Sequence, residues 1–167
     1  MATFEIPSVG AVEFPSGTNG YWQFDLPMRG ADVPVDINAD DDAFTKDMLA
    51  EIGIFISDAA RFDEIARDAF KAEFTEKPEG TVGIYLSHHA EELGGKDLLR
   101  IFGIEDPDDL DINHLLEALQ LKRIGLYPGG EGYCAVFDYT IDEEATDYIL
   151  AVEFDNEGEV FGISMDS

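Results

Sequence analysis

The chain has 167 residues, with 37 Asp and Glu against 10 Lys and Arg, and a formal net charge of −27. That imbalance excludes a nucleic-acid surface, which needs clustered cations for phosphate, and excludes electrostatic adhesion to anionic membranes. Apolar residues make up 45%, including twelve Phe, six Tyr and one Trp, so the chain is no disordered acidic tail and predicts one domain over residues 1–167.

The N-terminal third reads as short strands separated by turns. Ser16-Gly17-Thr18-Asn19-Gly20 is a turn cluster. Trp22, Phe24 and Leu26 then alternate with Gln23 and Asp25, and Val33, Val35 and Ile37 repeat that period of two around Pro34 and Asp36. The proline cannot donate to a ladder and predicts an edge strand or a strand start. The period then lengthens to that of a helix. Asp40, Asp41 and Asp42 supply a cap and first-turn carboxylates, followed by Phe44, Met48, Ile52 and Phe55. Ser57 or Asp58 caps a second helix with the stripe Phe62, Ile65, Ala66, Ala69 and Phe70, and Pro78-Glu79-Gly80 breaks it. A third helix runs from Val82 to about Leu93, its apolar side including Tyr85, Leu86 and His89, and Gly94-Gly95 ends it. A short helix over 96–102 and another from Asn113 to about Leu121, capped by Asp111 or Asn113, complete the central block.

Strands resume with 121–127 and the Pro128-Gly129-Gly130 turn. Residues 133–141 alternate, with Tyr133, Ala135, Phe137, Tyr139 and Ile141 on one face, and Tyr148, Leu150, Val152 and Phe154 do the same. Asp155-Asn156-Glu157-Gly158 is a hairpin loop leading to a last strand around Val160–Met165. The fold class is therefore α+β: an antiparallel sheet built from N-terminal strands and a C-terminal meander, with a central group of helices packed on one face.

Chemistry-bearing patterns are weak. Asp36-Ile-Asn38-Ala-Asp40-Asp41-Asp42 begins like a calcium loop, but Asp41 stands where the turn needs Gly and Asp47 where a bidentate Glu belongs. Asp106-Pro107-Asp108-Asp109-Leu110-Asp111 fits a helix start better than a cation trap. His88 and His89 are adjacent and point about 100° apart on a helix, so one metal ion cannot take both, and the His-Glu-x-x-His spacing is absent. His89 falls on the apolar stripe, and His88 pairs with Glu92 at helical spacing. Cys134, the single cysteine, lies inside an alternating strand among acids that raise a thiol pKa; it reads as a buried small hydrophobe. Neither a Gly-x-Ser-x-Gly elbow nor a phosphate-binding Gly-x-x-x-x-Gly-Lys loop occurs. Adjacent carboxylates such as Glu143 and Glu144 carry little information among 37. The sequence predicts no catalytic residues, no metal site and no cofactor. The N-terminus lacks a basic and an apolar leader region, and no apolar run approaches the ~20 residues of a membrane span, so the expected location is cytoplasmic.

What remains is the distribution of charge. Residues 1–40 carry six acids and one base (net −5), 41–102 fourteen and seven (−7), and 103–167 seventeen and two (−15), with no Lys or Arg after Arg123. On the strands around 133–141 and 147–154, the face opposite the aromatics offers Asp138, Asp142 and Glu153, and loops add Glu143, Glu144, Asp147, Asp155 and Glu157, with Glu159 starting the last strand. No base lies in that stretch to neutralise them. Salt-adapted proteins share this acidity, but they usually trim large apolar residues, whereas this chain is rich in Phe and Ile.

Two stretches carry a resemblance: Tyr85-Leu86-Ser87-His88-His89-Ala90-Glu91-Glu92-Leu93, and Phe137–Ile141 with Asp147–Phe154 and the terminal Met165-Asp166-Ser167. They resemble an uncharacterised family of small acidic bacterial proteins, a domain of unknown function, which is similar to the immunity proteins of toxin systems. The resemblance implies a binding role and no catalytic residues. Charge and resemblance together predict a non-enzymatic protein that neutralises a basic effector such as a nuclease toxin. The acidic sheet steers the partner, and aromatics such as Trp22 or Tyr127 anchor it. The alternatives are a divalent-cation-binding protein or a hydrolase using carboxylates or His88. Oligomeric state and the identity of the partner are open at this level.

Overall fold

A computed structural model describes residues 2–6, 10–14, 21–28, 30–39, 46–129 and 132–167. Strands β1 (Ala2–Ile6) and β2 (Gly10–Phe14) form a separate antiparallel hairpin, with β1 lying against the first helix. Strands β3 (Tyr21–Met28), β4 (Ala31–Asn38), β5 (Gln120–Leu126), β6 (Ala135–Thr140), β7 (Ile149–Phe154) and β8 (Val160–Asp166) make one six-stranded sheet in that order. Between β4 and β5 the chain leaves the sheet to build helices α1 (Lys46–Ser57), α2 (Ala59–Glu76), α3 (Thr81–Glu92), α4 (Gly95–Phe102) and α5 (Ile112–Ala118). The fold is α+β, as the patterning predicts. Every neighbour pair is antiparallel except β4 and β5, which run parallel through Val35↔Ile124, Asp36↔Gly125 and Ile37↔Leu126. A parallel pair cannot be joined by a tight turn, and the helical block is the crossover that joins it.

Alternation decides which face the helices cover. Leu26, Val33, Val35, Ile37, Ile124, Leu126, Phe137, Tyr139, Leu150, Val152 and Phe154 are all buried on that face. Phe55 of α1 and Phe62 and Phe70 of α2 meet them as an aromatic layer, with Phe62–Phe154 and Phe70–Tyr139 edge-to-face at 5.3 and 5.4 Å. Each buried phenylalanine contributes about 2–3 kcal/mol of transfer free energy. Pro34 lies in an interior strand and not on an edge: it stands opposite Asp25 of β3, and the β5 ladder begins one residue later, at Val35.

The helix boundaries have local causes. Asp111 caps α5 by accepting from the His114 backbone N–H at 2.9 Å, while His114 Nδ1 accepts from the Asp111 N–H at 3.2 Å. The helix ends at Ala118, three residues short of the expected limit, because Gln120 and Leu121 already pair with β6. The start of α3 is capped from a distance: Glu73 of α2 accepts from the Val82 N–H at 2.9 Å. Asp58 precedes α2 but makes no side-chain cap bond. The expected caps Asp40, Asp41 and Asp42, Phe44 and the turn at 16–20 lie outside the described residues. No helix among the described residues is long and apolar enough to cross a membrane.

Candidate functional site

The acidic C-terminal sheet resolves into three parts: the open face of the strands, the β6–β7 loop at one end, and the β7–β8 hairpin with residues 127–129 and 132–134 at the other. The sequence-predicted partner residues are spread over all three, so they do not form one patch.

On the open face the acids are not free. Arg123 of β5 lies flat over Gly125, where a Cβ would come within 2.7 Å of its Nη2 and 3.0 Å of Cζ. Its Nε and Nη2 donate to the two oxygens of Asp36 at 2.5 and 2.6 Å, Nη1 donates to Asp138 at 3.0 Å, and Nη2 also reaches the Tyr127 hydroxyl at 3.0 Å. Asn38 adds a 2.6 Å bond to Asp36. The hydrogen bonds that Arg123 donates to Asp36 hold the guanidinium pKa well above its usual value, against burial. Burial raises the Asp138 carboxyl pKa, and the bond from Arg123 opposes that rise. No Lys or Arg lies in the same stretch as Asp138, yet Asp138 is paired, because its counter-ion arrives from β5 across the ladder pair Arg123↔Asp138. Both oxygens of Asp36, the first position of the candidate calcium loop, accept from Arg123, and residues 40–45 of that candidate lie outside the described residues.

Asp142 is also paired, and its expected place on the strand face is corrected. It sits in the loop and not on the strand face, and Arg100 of α4 donates to it at 2.5 Å. That bond, with help from the Ala145 and Glu144 N–H groups, holds its carboxyl below the usual range. Asp142 Oδ1 accepts from both amides at 3.0 and 2.9 Å, which fixes the shape of the β6–β7 loop. The exposed side chains of Glu143, Glu144 and Asp147 project from this fixed loop. At the other end Asp155 accepts from the Glu157 and Glu159 N–H groups at 2.9 and 3.0 Å and holds the hairpin, leaving Glu157 and Glu159 exposed. Among the described residues no ion pair reaches Glu143, Glu144, Asp147, Glu153, Glu157 or Glu159. Glu153 is half-buried on the open face, opposite Val136 and Gly162.

The two predicted anchors are half-buried. Trp22 faces the helices and packs against the core, so it belongs to the opposite face of the sheet from Asp138 and Glu153. Tyr127 holds Arg123 through its hydroxyl and meets the Tyr133 ring edge-to-face at 5.5 Å. Two exposed rings that are not among the predicted anchors stand near Tyr127: Tyr133 is 37% and Phe161 56% exposed, with centroids 6.4 Å apart; Tyr21, on β3 at the other edge of the sheet, is also exposed. Phe161 is the unpaired residue of a bulge, since Glu153 opposes Gly162 and Phe154 opposes Val160. An apolar residue inside a strand carries no sign of a bulge in its sequence.

The two histidines of α3 play different parts. His89 is buried, its Nδ1 2.7 Å from the Tyr85 carbonyl and its Nε2 2.8 Å from the Thr146 hydroxyl. The carbonyl can only accept, so Nδ1 carries the proton and Nε2 accepts from Thr146. Burial lowers its pKa, against the bond to Tyr85. This histidine clips the β6–β7 loop to α3. His88 is half-buried against the Tyr148 ring at 4.4 Å, beside an open groove of about 460 Å³ that Glu92, Glu144 and Asp147 also line. Among the described residues no three His, Cys, Asp or Glu side chains converge to hold a metal ion. Cys134 is buried, and burial together with Glu51 and Asp155 pushes its thiol pKa up to about 12. No family model, no curated protein and no solved structure matches the chain.

Proposed function

We propose that this chain is a non-enzymatic, cytoplasmic binding protein that captures and occludes a basic protein, in the manner of the immunity proteins that neutralise nuclease toxins. One observation carries the reading: the exposed carboxylates Glu143, Glu144, Asp147, Glu157 and Glu159 stand outside every ion pair among the described residues. They project from two loops whose backbones are fixed by Asp142 and Asp155. Like charges held on rigid loops repel one another in the free protein, and a cationic surface relieves that repulsion on docking. Pre-formed loops also spare the partner the cost of ordering them. Association is then fast at low salt and slows as salt screens the field.

The test is capture from the native host on immobilised protein at low salt, followed by assay of the captured species. A basic protein whose activity is abolished by an equimolar amount of this chain, and whose association rate falls steeply with salt, is the expected result. Recovery of no basic protein, or of one whose activity is untouched, sinks the reading.

A further inference from the structure

The bulged start of β8, with Gly132 and Tyr133 packed against it, forms a surface feature that the acidic loops do not explain. Arg123, Tyr127, Tyr133 and Phe161 follow one another in contact: the Tyr127 hydroxyl accepts from Arg123 at 3.0 Å, the Tyr127 and Tyr133 rings meet at 5.5 Å, and Tyr133 and Phe161 at 6.4 Å. Phe161 lies over Gly132, where a Cβ would stand 3.3 Å from its Cζ, and Gly132 has a φ of +92° that a side chain would strain. The rings are thus held in place at one end by a saturated ion cluster and at the other by a backbone seat, while Tyr133 and Phe161 keep open faces. Exposed rings of this size attract water-excluding contacts, and ordinary surfaces rarely keep them together. Strand β8 is also the outer strand of the sheet, so nothing in the sheet covers its far edge.

We propose that Tyr133 and Phe161, backed by Tyr127, form the docking centre of the partner-binding face, and that their occupant is an arginine-bearing surface of a basic protein. This rests on the acidic-binding reading and adds to it where contact is made and which cation is preferred. Charge complementarity selects the occupant. Residues 103–167 carry seventeen acids against two bases, and both bases lie on β5, where Arg123 is already committed to Asp36 and Asp138. Glu153 stands across the ladder from Gly162, the residue after Phe161, so an acidic residue is a ladder neighbour of the bulge that carries Phe161. A guanidinium plane stacks on an aromatic face and still offers N–H groups to such a carboxylate, which a lysine ammonium does less well. A second copy of this chain is the wrong occupant, because each carries a net charge of −27 and edge-to-edge pairing would set like fields against each other.

The experiment titrates the ¹⁵N-labelled full chain with an alternating Arg-Gly peptide and with a Lys-Gly peptide of equal length and charge. Amide shifts are expected to concentrate at Gly132, Tyr133, Phe161 and Gly162, and the arginine peptide should bind about 5–10-fold more tightly. The double variant Y133S/F161S leaves net charge unchanged and should bind both peptides at the lysine level. Phe161→Leu keeps apolar bulk without a ring face and should lose most of the arginine preference. Equal binding of both peptides, shifts spread over all acidic loops, or a double variant as tight as the parent overturns the proposal, as does a concentration-dependent dimer that competes with peptide. The general reading fails separately: if the double variant still captures and silences the basic host protein, the binding function stands and this surface is not its centre.

Discussion

Asp138 and Asp147 belong to the same acidic segment, one on β6 and one in the loop that follows, yet their surroundings are opposite. Asp138 is held with Asp36 around a single guanidinium, so two negative charges and one positive charge form a tied unit that links β4, β5 and β6. Asp147, with Glu143 and Glu144, has no ion-pair partner among the described residues and extends from a loop held by others. The first arrangement stores negative charge inside the fold and makes stability depend on it. The second leaves charge outside, where it costs the free protein a little and is available to a partner. Net charge alone does not distinguish the two; the positions of Arg123 and Arg100 do.

Substitution of Arg123 by Met gives the largest effect. Asp36 is only 5% exposed, and stranding it without its counter-ion should cost about 3–5 kcal/mol in urea unfolding. A loss below about 1 kcal/mol would erase the distinction between the two acid groups. Gly125→Ala sharpens the same point, because the new methyl displaces a guanidinium pinned by its neighbours; the expected cost is about 1–3 kcal/mol. Combined with Arg123→Met it should add far less than its own value, since the arginine it displaces is already gone.

His89→Gln tests the clip that holds the uncompensated loop. At pH 8 it should cost about 1 kcal/mol, the worth of a buried hydrogen bond. The folded pKa lies below the unfolded value of 6.5, so as pH falls through 6.5 the unfolded chain binds a proton that the native histidine resists. The parent therefore loses stability relative to the variant on going from about pH 7 to pH 5, and the gap between them narrows. A gap that widens would place the charged form of His89 in the native state. The smallest effect belongs to the triple variant E143Q/E144Q/D147N. It should raise the thermal midpoint slightly at low salt and not at all at high salt, while slowing association with a basic partner. A clear loss of stability would show that these loop acids are structural after all.

Periodicity made the strands from Tyr21 onward, the helices and their order legible, and the aromatic stripe of Phe62 and Phe70 marks the covered face directly. The parallel pairing of β4 with β5 was not legible, because it depends on where a crossover of more than eighty residues returns, and nothing local records that. The role of Arg123 was hidden for the same reason, although one sign was present: Asp36 interrupts the apolar run Val35-Asp36-Ile37, and a buried acid demands a cation. Asp111 was recognisable as a cap because its partner is three residues away, whereas the Glu73 cap of α3 comes from another helix. Exposure of Phe161 rather than Trp22 turns on a bulge and on the seat at Gly132, neither of which alternation can express.

The separation between Asp36 and Arg123 bears on how the chain is made. Their bond joins positions 87 residues apart, with every helix of the sheet-covering layer encoded between them. During synthesis β3 and β4 emerge early and can form only a two-stranded ribbon, which is marginal in water, with Asp36 still hydrated. The ribbon has to wait for the helices and for β5 before its acid can be locked away. The nascent protein therefore gains its final architecture late, and a ribosome stalled before Arg123 would release a product unable to close its sheet.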